Sequence, residues 1–440
     1  MKNILFIDLG SRNTKYGLFR FHDENSKNGS DILEPILVGI SDTQGINLGR
    51  VVDYYEYENF INNLFAKIKN DTNINSIDNV FISVGGYNLY TTISSLKEEV
   101  SNQEITTEFI QNWISGKAKI GKIDMNKFVA IPEEYENIIS ILPRMYIIDS
   151  IDRTYNPFGL TAKNSIEVEL LICSVGTDYK KTILKPFEKM SYEFTDNFSL
   201  AQKNTISFLP NIVNYSKALG SYKVLKDYPP FALMDFGYST IEVFIILEGT
   251  PYTRVYIKRG LRNLLKDISF SLGTDMNEAE NILNEIGDIS KKDTEEYITY
   301  TPIFGSKTLT QEKVSKNILV ETVIYPRLEE ISKLVKAAVS NVFNLSIISN
   351  IILVGGGAKI KGINKVFYNL FETKFSFFET QDEKFKDYQL VNLYGMKESF
   401  VFKVKEDLKR NKYPALKVVN NTSSKNVIEK VWHFFKNYFF

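Results

Sequence analysis

The chain has 440 residues, 43% apolar and 24% charged, with 53 Lys and Arg against 53 Asp and Glu. This is a globular composition long enough for two or three domains, and zero net charge excludes a global field that would gather nucleic acid. The single cysteine, Cys173, excludes an internal disulfide, and no apolar run nears the roughly 18 residues of a membrane span. The two histidines, His22 and His433, are too far apart in sequence to suggest a metal cluster. The first apolar run meets Asp8 after four residues, too short for a signal sequence, so a reducing cytoplasmic setting is expected.

Ile4–Ile7 reads as a strand ending at Asp8-Leu9-Gly10-Ser11, and Lys15–Phe21 as its hairpin partner. Helical spacing over Tyr57–Lys69 precedes a strand at Val80–Val84. Then come a strand at Leu89–Ser94, a helix at Thr106–Lys119 and paired runs at Ile138–Leu142 and Met145–Ile148, which together suggest a small inserted α+β unit. Cys173, in an apolar strand pattern, reads as core, and His22 as an exposed turn residue. Past Pro229-Pro230, strands at Phe231–Met234 and Ile241–Leu247 flank Asp235-Phe236-Gly237-Tyr238-Ser239-Thr240, copying the plan of residues 4–21. Helices are expected at Leu261–Leu272, Asn277–Ile286 and Ile318–Phe343, followed by a strand at Ile351–Val354 that runs into Gly355-Gly356-Gly357-Ala358.

A strand that ends in Asp-x-Gly with a hydroxyl and bends back as a second strand makes a concavity of backbone N–H groups with a carboxylate at its lip. That suits a phosphate, with magnesium held through water. Either copy alone also reads as an ordinary tight turn. Two copies, with a third glycine-rich turn before a helix, favour a nucleotide clamped from both sides with its base and ribose near the third turn.

These residues resemble the actin-like ATPase superfamily and, within it, the FtsA family of bacterial cell-division proteins. Residues 8–14 resemble the first phosphate loop, 235–240 the second, and 351–358 continuing to Gly362-Ile363 the adenosine loop. Asn156-Pro157-Phe158-Gly159-Leu160 and Glu167-Val168-Glu169 resemble the close of that family's inserted domain. The resemblance implies an actin-like (ribonuclease-H-like) two-lobed α/β fold with an inserted SHS2-type domain and a C-terminal amphipathic helix. It assigns residues 1–84 and 166–229 to the first lobe, 85–165 to the insert, 230–256 and 341–402 to the core of the second lobe, and 257–340 to its outer subdomain. Residues 403–424 become a flexible linker and 425–440 a membrane-targeting helix.

For the nucleotide, ATP with Mg2+, the resemblance implies Asp8, Gly10, Ser11, Arg12, Asn13, Asp235, Gly237, Tyr238, Ser239, Thr240, Glu280, Gly355, Gly356, Gly357 and Ala358. Asp8 and Asp235 would hold the metal through water. Three departures stand out: Tyr238 replaces a loop glycine and must point away from the phosphate or obstruct it; Leu283 replaces a lysine three residues after Glu280; and residues 204–219 hold no Asp, Glu or Gln to polarise water, Gln202 being nearest. Since orienting water is much of what hydrolysis asks of the protein, slow or absent turnover with retained binding is expected.

Residues 403–440 carry nine Lys or Arg and three acids. Ile428, Val431, Trp432, Phe435 and Phe439 share one helical face beside Lys436, the pattern of a helix lying in a membrane interface. A terminal helix packed on the protein's own core is the alternative. The polar stretch before it, and the family resemblance, favour the membrane. The resemblance further implies self-assembly into protofilaments, binding of the FtsZ C-terminal tail, anionic lipids as a surface, later division proteins on the insert, and a place on the cytoplasmic face of the membrane at the septum. A PilM-like pilus component binding a membrane partner's peptide is the alternative, and a sugar kinase lacks its catalytic Asp.

Overall fold

The computed structural model describes residues 2–22, 32–106, 108–110, 112–113, 131–154, 156–195, 203–220, 229–291, 295–303 and 311–411. The expected membrane helix at 425–440, with Ile428, Val431, Trp432, Phe435, Lys436 and Phe439, lies outside them, as do Gln202, His433 and most of the helix expected at 106–119.

The first lobe begins with β1 (Lys2–Leu9) and β2 (Asn13–Phe21), an antiparallel hairpin, followed by β3 (Leu33–Asp42). Helix α1 (Tyr54–Thr72) starts where Asp53 accepts the Glu56 N–H, and it buries Tyr57, Phe60, Ile61, Leu64, Phe65 and Ile68. β4 (Asn79–Val84) pairs parallel with β1.

The insert follows. β5 (Leu89–Glu99), β6 (Asn137–Ile148), β7 (Asp152–Thr154) and β8 (Ser165–Val175) form one sheet in the order β7-β6-β8-β5 over a core of its own. Two expectations change here. The runs at 138–142 and 145–148 are one strand, kinked by a bulge at Arg144 where β6 pairs β8. The insert's sheet also extends to Val175, past the boundary at 165, because β8 pairs along its length with both β5 and β6. Cys173 is buried in β8, as its apolar surroundings suggest, and His22 is tied at 3.0 Å to Glu34 rather than free in a turn.

The chain returns through α2 (Thr177–Lys189), β9 (Glu193–Phe194), β10 (Thr205–Pro210) and α3 (Asn211–Gly220), which completes a sheet in the order β9-β10-β4-β1-β2-β3. The second lobe repeats the opening with β11 (Phe231–Phe236), β12 (Ile241–Leu247) and the edge strand β13 (Thr250–Ile257). Its helices are α4 (Leu261–Leu272), α5 (Met276–Ile286) and α6, which runs from Lys316 to Ser340 through a π-helical turn at Val320–Ile324. β14 (Asn350–Val354), α7 (Ile363–Phe371) and β15 (Lys374–Phe377) close a sheet in the order β13-β12-β11-β14-β15.

The last element, α8 (Val391–Asn411), overturns two expectations. It packs in the core of the first lobe, with Phe400 edge-on to Phe6 at 5.8 Å and Phe81 at 5.7 Å, so residues 391–402 do not belong to the second lobe's core. It also carries helix through 403–411, where a linker was expected. The crossing of α8 on α3 is close enough that a side chain on Gly395 would meet the Asn214 carbonyl at 2.0 Å.

Candidate functional site

The two Asp-ended hairpins face each other across a cavity of about 380 Å3. Antiparallel register fixes what stands opposite each aspartate: Lys15 pairs with Asp8 in the first hairpin and Glu242 with Asp235 in the second. Both partners lie seven residues past their aspartate, so that spacing was a usable signal for two site residues that the motif reading missed.

Asp8 is held from two sides, by the Lys15 ammonium at 3.3 Å and by the Asn392 amide, from α8, at 2.9 Å. Asp235 accepts the Tyr215 hydroxyl at 2.7 Å. Burial pushes its carboxyl up to about 6, against the opposing pull of Lys15 and the Tyr215 hydrogen bond. Gly10 allows the tight first turn, since a Cβ there would stand 2.4 Å from the Asn13 carbonyl. Ser11 accepts the Gly49 N–H at 3.3 Å, and Asn13 lies against Gln389 at 3.1 Å.

Arg12 reaches across to α5, with one nitrogen 3.4 Å from both Glu280 and Asn277. Helix α5 is aimed there by Asp275, which accepts the N–H groups of Asn277 and Glu278. Tyr238 lines the cavity with its ring turned toward Arg12, 5.9 Å from the guanidinium, and packs on the second lobe's core. The Gly237 and Tyr238 carbonyls accept the first two N–H groups of α4, locking the second turn to that helix.

The cavity wall includes Gly237, Ser239, Thr240, Gly355 and Gly356. Ser239 is 5% exposed, and its hydroxyl has no hydrogen-bond partner among the described residues. Gly355 has φ +86°, and a Cβ there would strike the Asp235 carboxylate at 2.2 Å. Gly357 and Ala358 are placed differently from expectation: both are buried away from the cavity wall, and Gly357 lies so close to the Phe236 ring that a Cβ would sit 2.3 Å from it. That glycine serves packing. Leu283, standing where a lysine was expected, lines the cavity as an apolar residue.

Helix α3 contributes Asn211 and Tyr215 to the wall and no acid. The acid there is Glu242. Its carboxylate is fully engaged, accepting from the Gly86 N–H at 2.7 Å, the Asn211 amide at 3.0 Å and Arg254 at 2.8 Å. Among the described residues no group of three or more His, Cys, Asp or Glu side chains forms a metal site. A divalent ion would therefore rest on Asp8 and Asp235 through water and on the ligand's own oxygens.

The model of the family "Cell division protein FtsA" matches residues 232–395. The FtsA of Bacillus subtilis (strain 168) is 23% identical over 365 residues, which span 81% of this chain and 74% of that one. Among solved structures, the PilM-PilN type IV pilus biogenesis complex aligns with TM-score 0.57 at 9% identity, covering 90% of this chain and 97% of the other. MreB 5 of Spiroplasma citri bound to AMPPNP aligns with TM-score 0.54 at 12% identity, covering 93% and 98%. At these identities the two structures show the fold alone.

Proposed function

Because the chain is an actin-like member of the FtsA family of cell-division proteins, we propose that its cleft binds ATP and that the protein links an FtsZ filament to the inner membrane surface. The observation that carries the nucleotide reading is the pairing of two Asp-ended hairpins across one cavity, with the Gly355-Gly356 turn closing a third side. Lys15, inside the cavity and 3.3 Å from Asp8, supplies a fixed positive charge for phosphate oxygens. The orphan hydroxyl of Ser239 and the turn amides supply donors. Magnesium would bridge the phosphates to Asp8 and Asp235 through water. The base and ribose lie toward Glu280, Leu283 and Gly356.

Turnover is slow in this reading. Among the described residues on this side of the cleft, Asn211 and Asn214 are neutral and Glu242 is already occupied by three donors, so the wall formed by α3 and β12 offers no free carboxylate to orient an attacking water. The likeness to FtsA supports extending this proposal to filament self-assembly, docking of the FtsZ tail on the outer part of the second lobe, later division partners on the insert, and membrane attachment through residues 425–440. The likeness to PilM is one of fold, and the basic, aromatic C-terminal segment favours the FtsA reading over it.

The nucleotide claim is tested by measuring binding of a fluorescent ATP analogue with magnesium to the full chain, to Asp8→Ala and to Asp235→Ala. Both substitutions are expected to weaken binding at least tenfold. Unchanged affinity in both removes the clamp.

A further inference from the structure

The turn Gly86-Tyr87-Asn88 separates the first lobe's β4 from the insert's β5, and its three residues reach three different bodies. Gly86 is clasped by the second lobe: its N–H donates to Glu242 at 2.7 Å, its carbonyl accepts from Arg254 at 2.8 Å, and Arg254 pairs with Glu242 at 2.8 Å to close the triangle. Both side chains of the pair are at least nine-tenths buried. The carbonyl of Tyr87 accepts the hydroxyl of the insert's Tyr135 at 2.8 Å. Asn88 donates to the Gly49 carbonyl at 2.7 Å, and the Gly49 N–H donates to Ser11 in the first phosphate turn.

The second lobe meets these groups from a single strand. In β13, Arg254 and Tyr256 are two residues apart and point the same way, while Tyr252 lies at the bulge where the pairing with β12 shifts register. Tyr252 takes the Arg144 guanidinium of the insert 5.0 Å above its ring. Arg254 holds Gly86, and Tyr256 meets the Tyr87 ring edge-on at 6.0 Å. Lys258 and Arg50 cover Tyr87, at 4.9 and 3.8 Å. Gly85, beside the turn, has no room for a Cβ, which would stand 2.0 Å from the Asn211 amide, so the backbone beside the turn packs directly on the cavity wall.

We propose that Arg254 is a positioning residue through which β13 couples occupancy of the cleft to the attitude of the inserted domain, with the Gly86-Tyr87-Asn88 turn as the moving link. Arg254 itself does not line the cavity; it acts through Glu242 and Gly86, which do. A buried pair of this kind holds its geometry because either charge left alone would be costly. A ligand that draws the hairpins together moves Glu242 with β12, and the clasp carries that displacement to Gly86, Tyr87 and Tyr135. The second half of this coupling rests on the nucleotide reading of the cleft; the first half does not.

The test is amide hydrogen exchange on the full chain, comparing wild type with Arg254→Met, Arg254→Lys and Glu242→Gln. Without nucleotide, Arg254→Met is expected to speed exchange at least tenfold in 85–88 and in 133–137 together, with 231–236 unchanged, and Arg254→Lys to recover part of the protection. Loosening confined to 85–88 overturns the link. If Arg254→Met loses protection throughout, the near-isosteric Glu242→Gln decides by the same two segments. With ATP and magnesium, wild type is expected to gain protection at 8–13 and at 133–137, and Arg254→Met at 8–13 only. A response at 133–137 that survives Arg254→Met refutes the coupling. Absence of any wild-type response at 8–13 instead refutes nucleotide binding, and the nucleotide-free comparison still decides the link.

Discussion

Asp235 shows how one carboxyl records the purpose of the cleft. In an unfolded chain it ionises near 3.8, and burial in the folded cleft raises that to about 6. Between those values the unfolded state binds fewer protons, so this group lowers stability as pH rises through the window. Above about 6 the full penalty applies, roughly 3 kcal/mol at most. Among the described residues Tyr215 is the one hydrogen-bond donor on this costly charge, which supports the proposed cation held there through water. Asp235→Asn keeps an acceptor for Tyr215. It is expected to stabilise the ligand-free protein against denaturant by about 2–3 kcal/mol near pH 7.5 and by almost nothing near pH 4. An equal gain at both values would mean that charge is not the cause. The place of Asp8 and Asp235 on the cavity wall was legible because Asp-x-Gly between two apolar runs occurs twice beside a third glycine-rich turn, whereas either copy alone reads as an ordinary turn. Lys15 and Glu242 were not, because a motif reading stops at the turn whereas the antiparallel register carries the site seven residues further.

Most elements were legible from period alone: α4 and β12 begin and end where their apolar spacing does. The insert's β6 was not, because Pro143 reads as a break. In the structure Pro143 sits at a bulge, where a missing N–H costs little, and the bulge leaves Arg144 without a cross-strand partner in β8. Its side chain is 1% exposed and meets Glu169 and, at 3.6 Å, Glu248 of the second lobe's β12–β13 turn. Arg153 joins the same two acids from the insert's surface, at 3.3 and 3.5 Å, with its own side chain 43% exposed. The apparent redundancy is unequal. Removing Arg144 leaves acids against a buried void, whereas water replaces Arg153. Arg144→Ala is expected to cost about 3–5 kcal/mol in denaturant unfolding and Arg153→Ala less than about 1 kcal/mol. Equal losses would place the two arginines in one shared exposed network and remove the bulge's role.

At the scale of the molecule, the zero net charge conceals a division: residues 403–440 carry +6 and residues 1–402 carry −6. Part of the basic segment is helix rather than linker, because α8 runs to Asn411 and is anchored on the first lobe through Phe400 and Val404. The distinction could not be read from composition, since a basic helix end and a basic linker have the same letters; what separates them is the aromatic core of the first lobe waiting for Phe400. The proposed membrane attachment therefore falls to the chain beyond Asn411, where Trp432 and Phe435 supply apolar area and each nearby lysine adds about 1 kcal/mol against anionic lipid. One such helix binds reversibly, and an assembled filament multiplies the attachment without new contacts. Sedimentation with vesicles of mixed anionic and neutral lipid is expected to pellet the full chain and to leave a chain ending at Asn421 in the supernatant. Raising salt to about 0.5 M should weaken but not abolish the full chain's binding, because the apolar face is unscreened. A full chain that stays in the supernatant, or a truncated one that pellets equally, would move the membrane contact elsewhere in the protein.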